Sequence, residues 1–315
     1  MACYLVTGGA GFIGSNIVHA LVSRQHEVRV LDDFSTGRRQ NLERPHPSVE
    51  VVEGDICDAS TVADAMDGAD YCLHQAAIPS VPRSIEDPSA SNRANVDGTI
   101  NVFVAARDAG LRRVVFASSS AVYGNAERLP VAETLPVNPI SPYGVNKAAD
   151  EMYARVFSDL FDMDIVALRY FNVFGPRQNP KSQYAAVIPI FITRMLAGKP
   201  PPVDGDGRQS RDFSYVDNIV DANIKAAAAP GRIAGVYNIA CGDSCAVIEL
   251  VDMLNEILGT SIGPRFREAR PGDIRKSWAD ISRARDAFGY EPSVDIKEGL
   301  RRTVEWYRNG NDTHG

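Results

Sequence analysis

A tyrosine and a lysine four residues apart give the strongest chemical signal in the sequence. Tyr143 and Lys147 stand in the segment Ser-Pro-Tyr-Gly-Val-Asn-Lys, which has the pattern of a helix start. On a helix this spacing places both side chains on one face. A phenol has an unperturbed pKa of about 10, and a nearby ammonium favours the phenolate, which could act as a base near neutral pH. The pair by itself is compatible with redox chemistry at a carbinol carbon, or with a plain aromatic–cation contact on a helix surface.

A run of serines could supply a third group for the same chemistry. Ser118, Ser119 and Ser120 follow a β-rich apolar run, at the carboxyl end where open α/β sheets bind their ligands. A serine hydroxyl there could bridge a substrate hydroxyl and Tyr143. Serine runs are also common in ordinary loops, so the position, more than the composition, favours a catalytic role.

A glycine pattern near the start of the chain indicates dinucleotide binding. Gly8, Gly11 and Gly14 form GxxGxxG directly after the first apolar run and open into a helical pattern. Such glycines allow a tight turn and close approach of the backbone to a pyrophosphate, which then faces the N–H groups of the helix N-terminus. The triplet alone is a weak signal and needs its context.

Acidic residues after the second and third strands supply that context. Asp32 lies 18 residues beyond the last of these glycines, where a carboxylate can bind both hydroxyls of an adenosine ribose. Its charge would repel a 2′-phosphate, so NAD is predicted rather than NADP, although Arg38 and Arg39 nearby leave some room for the alternative. Asp55 and Ile56, after the third strand, are predicted to flank the adenine.

The elements that must position these residues alternate between strand and helix. Strands are predicted at Tyr4–Thr7, Glu27–Leu31, Glu50–Glu53, Tyr71–Gln75, Arg113–Ser118 and Ile165–Tyr170. Helices are predicted between them at Gly14–Ser23, Thr61–Met66, Asn95–Ala109 and Tyr143–Leu160. This alternation predicts an α/β fold, a Rossmann-type doubly wound parallel sheet.

The second half of the chain has a less regular texture and predicts a smaller mixed α/β domain for the substrate. We expect an NAD-binding domain over 1–172 with a return segment near 213–243, and a mainly substrate-binding domain over 173–315. In this half, Asp212–Ala229 is predicted as a helix entry and Val236–Cys241 as a strand that rejoins the main sheet. Two further helices are predicted near Ala246–Leu258 and Ile296–Asn309.

Composition narrows the classes of partner. A net charge of −7 weighs against nucleic acid or an anionic membrane, and no run approaches about 18 uninterrupted apolar residues. The five cysteines form no CxxC pair and no His/Cys cluster, so neither a disulfide framework nor a metal site is predicted. The N-terminus has no signal-peptide pattern, and a cytoplasmic protein is expected.

Seven motifs together resemble the extended short-chain dehydrogenase/reductase family, and within it the UDP-sugar 4-epimerases. They extend over nearly the whole chain: TGGAGFIG at 7–14, HQAA at 74–77, SSSAVYG at 118–124, SPYGVNK at 141–147, LRYFNVFGPRQ at 168–178, SRDFSYV at 210–216 and RPGDIRKSWAD at 270–280. The resemblance implies NAD as cofactor, a UDP-sugar as substrate and a homodimer that packs the helices Asn95–Ala109 and Tyr143–Leu160 as a four-helix bundle.

The resemblance also implies roles for individual residues. Tyr143 takes the proton of the sugar 4-hydroxyl, Lys147 binds the nicotinamide ribose and tunes Tyr143, and Ser119 hydrogen-bonds the sugar. The implied cofactor-binding residues are Gly8, Gly11, Phe12, Ile13, Gly14, Asp32, Asp33, Ser35, Thr36, Gly37, Asp55, Ile56, Gln75, Ala76, Ala77, Asn95, Tyr143, Lys147 and Tyr170. The implied substrate-binding residues are Ser119, Ser120, Asn172, Val187, Arg211, Arg270, Asp273 and Ser277.

Two positions discriminate between branches of this family. Related 4,6-dehydratases carry Thr-Asp-Glu where this chain has Ser119, Ser120 and Ala121, and related decarboxylases keep a glutamate at the position of Ala121. Without those carboxylates the ketone can only be reduced again, which implies an epimerase. Ser277 aligns with a gate that is tyrosine in epimerases restricted to glucose and galactose, so space for an N-acetyl group is implied.

We therefore expect a 4-epimerase that interconverts UDP-N-acetylglucosamine and UDP-N-acetylgalactosamine through a 4-keto intermediate, with the non-acetylated pair also accepted. The alternatives are a UDP-glucose 4-epimerase proper, a 4-reductase, or a UDP-uronic acid 4-epimerase in which Arg83 binds the sugar carboxylate. A non-catalytic NAD-binding regulator is disfavoured, because such relatives tend to lose the tyrosine or the lysine.

Overall fold

The computed structural model describes residues 1–42, 49–126, 128–180, 186–269 and 275–309. Seven parallel strands form the main sheet in the order β11-β6-β5-β4-β1-β2-β3. These strands are β1 (Cys3–Thr7), β2 (Glu27–Asp32), β3 (Val49–Glu53), β4 (Tyr71–His74), β5 (Arg113–Ser119), β6 (Ile165–Tyr170) and β11 (Gly235–Ile239). The order reverses between β1 and β4, so a crevice for a ligand opens at the carboxyl ends of these two strands.

Helices cover both faces of this sheet. They are α1 (Phe12–Ser23), α2 (Ala59–Met66), α3 (Val81–Glu86), α4 (Pro88–Asn92), α5 (Gly98–Asp108), α6 (Pro142–Phe161), α7 (Val187–Leu196), α8 (Val216–Ala228), α9 (Val247–Leu258), α10 (Ser282–Phe288) and α11 (Ile296–Arg308). The inner strand β6, second from one edge of the sheet, is buried along its whole length, as expected for a strand covered on both faces. The described helices include none that is both long enough and apolar enough to cross a membrane.

The remaining strands are short and pair outside the main sheet. They are β7 (Val173–Phe174), β8 (Pro202–Asp204), β9 (Ser210–Arg211), β10 (Ser214–Tyr215), β12 (Cys245–Ala246) and β13 (Arg265–Arg267). They pair as β7 with β10, β8 with β13 and β9 with β12. Each pair joins segments that are distant in sequence, so this region depends on long-range contacts.

The predicted Rossmann-type sheet is confirmed, and all six predicted strands of the first half are present. The strand predicted to rejoin the sheet is β11, which pairs in parallel with β6. The division into domains at residue 172 stays a prediction.

Two helix predictions need correction, and the helices α3, α4, α7 and α10 were not predicted. The helix predicted from Asn95 begins as a π-helical segment at Arg93–Asp97 and becomes α5 only at Gly98. The helix predicted from Asp212 begins at Val216, because the carboxylate of Asp212 binds backbone N–H groups elsewhere and Ser214–Tyr215 forms a strand. The helix α7 was not predicted, since its sequence is apolar on most sides and carries a proline in its first turn.

Candidate active site

The glycine loop between β1 and α1 is built by close backbone contacts. Gly8 has a φ of +65°, and a Cβ there would lie 2.7 Å from the backbone nitrogen of Ala76. A Cβ at Gly14 would overlap the carbonyl oxygen of Gly8, and Gly11 caps the helix that begins at Phe12. Only glycine fits this turn. The turn therefore presents the open N-terminus of α1 at the switch point of the sheet, which is the cradle that a pyrophosphate requires.

Asp32 closes the ribose side of this cradle. Its carboxylate is buried at the end of β2 and accepts hydrogen bonds from the N–H groups of Ala10 at 2.8 Å and Phe34 at 2.9 Å. Burial raises the pKa of Asp32, although both hydrogen bonds act in the opposite direction. Gly37 packs so closely on the carboxylate that a Cβ would lie 2.6 Å from Oδ1. The carboxylate is thus held in place and keeps further lone pairs that can accept hydrogen bonds from ribose hydroxyls. This arrangement fits NAD.

The neighbouring predicted cofactor residues are held by local bonds. Asp33 accepts hydrogen bonds from the N–H and hydroxyl of Ser35 at 2.9 and 2.7 Å. Asp55 accepts from the N–H of Cys57 at 2.8 Å, and Ile56 packs against Gly98. Phe12 and Ile13 form the first turn of α1, and Thr36 follows Ser35 in the turn after β2. Their contact with the cofactor remains a prediction.

The loop after β4 is tied to the rest of the site by amide side chains. The amide of Gln75 donates to Asn223 at 3.1 Å and accepts from the hydroxyl of Tyr170 at 3.1 Å. Asn95 is fully buried, and its amide bonds both main-chain groups of Ile78. Asn95 therefore holds the loop that contains Ala76 and Ala77, and a direct contact of its side chain with the cofactor stays a prediction.

His74 forms a buried chain of hydrogen bonds beneath this loop. Its Nδ1 lies 2.6 Å from the hydroxyl of Thr7 and its Nε2 lies 3.0 Å from the hydroxyl of Thr99, which donates to the carbonyl of Asn95. Thr99 must then accept from Nε2–H, which leaves Nδ1 to accept from Thr7. Burial, followed by the charge of Lys147, lowers the pKa of His74 to about 3. His74 is therefore a neutral structural residue at the end of β4.

The segment that follows β5 packs directly against the start of α6. Ser119 ends β5, and its hydroxyl accepts a hydrogen bond at 3.1 Å from the N–H of Ala121 in the helical turn that follows. Gly144, in the first turn of α6, is so close to this turn that a Cβ would lie 2.7 Å from the carbonyl oxygen of Ala121. Tyr143, next to Gly144, is half-buried and donates its N–H to the hydroxyl of Ser84 at 3.0 Å. The fold thus brings Ser119 and Tyr143 together from segments 24 residues apart.

Lys147 lies one turn further along α6 in a buried position. Its Nζ is 3.2 Å from Oδ2 of Asp150, and the two side chains are 2% and 0% exposed. Together with Ser119 and Tyr143, Lys147 completes a group that could bind a sugar hydroxyl, accept its proton and hold that proton within a buried environment.

Sequence reasoning missed a buried network that supports the segment following β5. Glu151 accepts from Arg169 at 2.8 and 2.6 Å and from the hydroxyl of Ser118 at 2.5 Å. The guanidinium of Arg169 lies over the ring of Tyr123, whose hydroxyl donates to Asn238 at 2.7 Å. The network thus joins α6, β5, β6 and β11 beneath Ser119. Its sequence signal was a glutamate one turn after Lys147.

The predicted substrate residues lie along the short strands. Arg211 is in β9, and the N–H of Ser277 donates to the carbonyl of Ser210 at 3.2 Å, which places Ser277 beside that strand. Asn172 has a φ of +31° and donates from its amide to the carbonyl of Asp212 at 3.2 Å. Val187 begins α7, and Ser120 begins the helical turn after β5. Arg270 and Asp273 lie outside the described residues.

Asp212, which the sequence did not single out, organises this region. Its carboxylate is fully buried and accepts backbone hydrogen bonds from Cys241 at 2.8 Å, Gly242 at 3.0 Å and Ala279 at 3.2 Å. Burial raises the pKa of Asp212 to about 6. Through these bonds one side chain fixes the segments that carry Arg211 and Ser277.

Comparison with known proteins agrees with this geometry. Residues 4–240 match the model of the NAD dependent epimerase/dehydratase family. The UDP-glucose 4-epimerase of Mycolicibacterium smegmatis is 40% identical over 97% of this chain and 98% of its own. The solved structure of a UDP-N-acetylglucosamine 4-epimerase from Methanobrevibacter ruminantium, in complex with UDP-N-acetylmuramic acid, is 41% identical and has a TM-score of 0.94. The match covers 98% of this chain and 99% of that chain.

A second solved structure is similar over the same length. The UDP-glucose 4-epimerase of Thermotoga maritima with UDP-glucose is 36% identical, with a TM-score of 0.92, 98% of this chain and 100% of that chain covered. With the glycine cradle, the buried Asp32 and the Ser119–Tyr143–Lys147 group, these matches lead to one conclusion: the chain belongs to the NAD dependent epimerase/dehydratase family and uses NAD as its cofactor.

Proposed function

We propose that this protein is a UDP-sugar 4-epimerase that interconverts UDP-N-acetylglucosamine and UDP-N-acetylgalactosamine through a 4-keto intermediate. The reaction is supported by the docking of Tyr143 on the loop of Ser119, with Lys147 buried on the same helix face. The solved relatives named above bind UDP-sugars, which supports the substrate class.

Each of the three residues has a distinct task. The Ser119 hydroxyl holds the sugar 4-hydroxyl, and the Tyr143 phenolate accepts the proton of that hydroxyl as the C4–H bond breaks. NAD, when bound, accepts the hydride from C4 and returns it. The Lys147 ammonium stabilises the phenolate by its charge and binds the cofactor ribose. After the 4-keto sugar has turned over, Tyr143 returns the proton to the oxygen as C4 regains its hydride on the opposite face, so atoms and electrons balance over one turnover.

The loop after β5 favours epimerisation over dehydration. Elimination of water needs an acid and a base near the sugar, whereas Ser120 and Ala121 occupy the helical turn without any ionisable group. The ketone then has no path except reduction.

Ser277 is the observation that carries the choice of substrate. It is half-buried beside β9, and its side chain is much smaller than the tyrosine that epimerases restricted to glucose and galactose carry at the aligned position. The similarity to a UDP-N-acetylglucosamine 4-epimerase supports the same choice. The non-acetylated pair is smaller and should also enter the site.

The direct test is to incubate the purified protein with NAD and UDP-N-acetylglucosamine and to follow UDP-N-acetylgalactosamine by NMR. Parallel reactions contain UDP-glucose, dTDP-glucose and UDP-glucuronic acid. Conversion of the acetylated pair supports the proposal. Conversion of UDP-glucose alone would contradict the assignment of an acetylated substrate and would indicate a UDP-glucose 4-epimerase. A 4-keto-6-deoxy product would contradict epimerisation.

One position favours a second candidate, a UDP-uronic acid 4-epimerase. Arg83 is exposed on α3, next to Ser84, whose hydroxyl accepts the N–H of Tyr143. A guanidinium there could pair with a sugar carboxylate. If this is the function, Arg83→Ala should raise KM for UDP-glucuronic acid and leave KM for UDP-glucose unchanged.

A homodimer is part of the same proposal. An apolar stripe follows one exposed face of α6 from residue 145 to residue 160. Its members, with exposed fractions from 41% to 70%, are Val145, Met152, Tyr153, Val156 and Leu160. A stripe of this size is expected to pack against a second copy. Light scattering should show a dimer for the parent protein and a monomer for Met152→Glu/Leu160→Lys. A cytoplasmic location stays a prediction from the sequence.

A further inference from the structure

Two neighbouring carboxylates on α6 are buried, but only one has all its hydrogen bonds. Both oxygens of Glu151 are bonded, by Arg169 and Ser118. Asp150 bonds Lys147 through Oδ2, whereas its Oδ1 has no hydrogen-bond partner among the described residues. Glu151 is thus explained as part of a structural network, and Asp150 is not.

Burying Asp150 in this way is unfavourable for the fold. A buried carboxylate destabilises the fold unless its partners satisfy it, and a partner at 3.2 Å on one oxygen satisfies it only in part. Burial raises the pKa of Asp150 to about 6, although Lys147 acts in the opposite direction. The contact with Lys147 is therefore the interaction that favours the charged carboxylate in this buried position.

Lys147 has few other charged neighbours. The charges acting on Asp150 come from Lys147 and Glu151 of its own helix, and Glu151 is neutralised by Arg169 of β6. His74 of β4 senses the charge of Lys147 but is itself neutral. Within the described part of the chain, Asp150 is the only carboxylate at salt-bridge distance from Lys147.

We propose that Asp150 is a positioning residue for the reaction, whose buried carboxylate keeps the Lys147 ammonium charged and fixed on the face that it shares with Tyr143. This inference rests on the role proposed above for Lys147. An ammonium has three donors, and Asp150 occupies one, which leaves two for the cofactor ribose. Seven residues separate Asp150 from Tyr143, about 10 Å of helix rise. The carboxylate therefore anchors the ammonium without cancelling its field at the phenol.

The test is the pH dependence of kcat/KM for the substrate that the parent protein converts fastest. Asp150→Asn keeps an acceptor for Lys147 but removes the charge, and an unpaired buried ammonium gives up its proton at lower pH. We expect the alkaline limb of the profile to move to lower pH by about one unit or more. Relative to the parent protein, kcat/KM should then be about tenfold lower at pH values above the alkaline limb of the parent, and little changed at pH values below the alkaline limb of the variant. Asp150→Glu, which restores the charge, should return the limb toward its parental position.

A matched control is Asp159→Asn, which makes the same change at an exposed position of α6 and should leave the profile unchanged. A profile for Asp150→Asn that is lowered equally at every pH, or not altered at all, overturns the inference. A parent protein that epimerises no UDP-sugar contradicts the proposed function instead, so the two failures are distinguishable.

Loss of folding is also informative. If Asp150→Asn does not fold, the inference requires that Lys147→Met restores folding in the double variant, because the unpaired ammonium is then gone. A double variant that still fails to fold overturns the inference, since Asp150 would then be needed for a reason other than the charge of Lys147.

Discussion

The cofactor end and the substrate end of this molecule are built in different ways. At the cofactor end, Gly8 and Gly11 lie in the turn between β1 and α1, Gly14 lies in the first turn of α1, and the carboxylate that faces them ends the next strand. At the substrate end, Ser277 is fixed by Ser210, 67 residues earlier in the chain. The cofactor-binding motif occupies one short segment and the end of the next strand, and it can serve any substrate that presents a hydroxyl at the reacting carbon. The substrate end is assembled from distant segments, which can change the substrate without changing the chemistry.

The largest expected effect comes from removing the base. Tyr143→Phe deletes the phenol oxygen and should lower kcat about 10²–10⁴-fold, to the same degree for acetylated and non-acetylated UDP-sugars, because the proton transfer is common to them. Turnover rates on both pairs measure this. A loss of turnover confined to one pair of UDP-sugars would contradict the distinction between the cofactor end and the substrate end.

The next effect concerns the cradle. A Cβ at Gly14 overlaps the carbonyl oxygen of Gly8, so Gly14→Ala should weaken NAD binding at least tenfold and destabilise the fold by about 1–3 kcal/mol. Calorimetric titration with NAD and thermal unfolding provide the measurements. Gly263→Ala is the control, because a Cβ there has no atom within 4 Å among the described residues, and it should leave both quantities unchanged.

A smaller and selective effect is expected at the substrate end. Ser277→Tyr should lower kcat/KM for the N-acetylated pair about 10–100-fold by filling the space near the 2-substituent, with little change for UDP-glucose. Ser277→Ala, which removes the hydroxyl without adding bulk, should resemble the parent on both pairs. Equal losses for Ser277→Tyr on both pairs would argue against a gate at this position.

The smallest effect on turnover is expected at His74, which supports the cofactor end without entering the chemistry. Because its pKa is lowered to about 3 in the fold, neutral His74 contributes stability above the pKa of an unfolded histidine, about 6.5, and loses it as pH falls toward 3. Relative to His74→Gln, the parent protein should lose up to about 1.4 kcal/mol of unfolding free energy per pH unit in this window. Denaturant unfolding at several pH values tests this; parallel pH dependence of the two proteins would show that His74 is charged in the fold.

The sequence by itself determined the Rossmann-type sheet, the glycine cradle, Asp32 and the Tyr143–Lys147 pair. The reason is that each depends on short-range spacing: short β-rich apolar runs for the strands, three glycines within seven residues, and two residues four apart on one helix. The serine run was found in the same way, at the end of a predicted strand, and the family resemblance singled out Ser119 within it.

Only the tertiary structure decided which groups support these residues. Glu151 meets Arg169 and Ser118, Asp212 meets Cys241 and Ala279, and Asp150 is buried against Lys147 with one oxygen that has no hydrogen-bond partner in the described part of the chain. A charged residue on a helix has no local signal that separates a solvated side chain from a buried one. Its environment is set by the strands and loops that fold over it from elsewhere in the chain, and the physical consequences of burial follow from that environment.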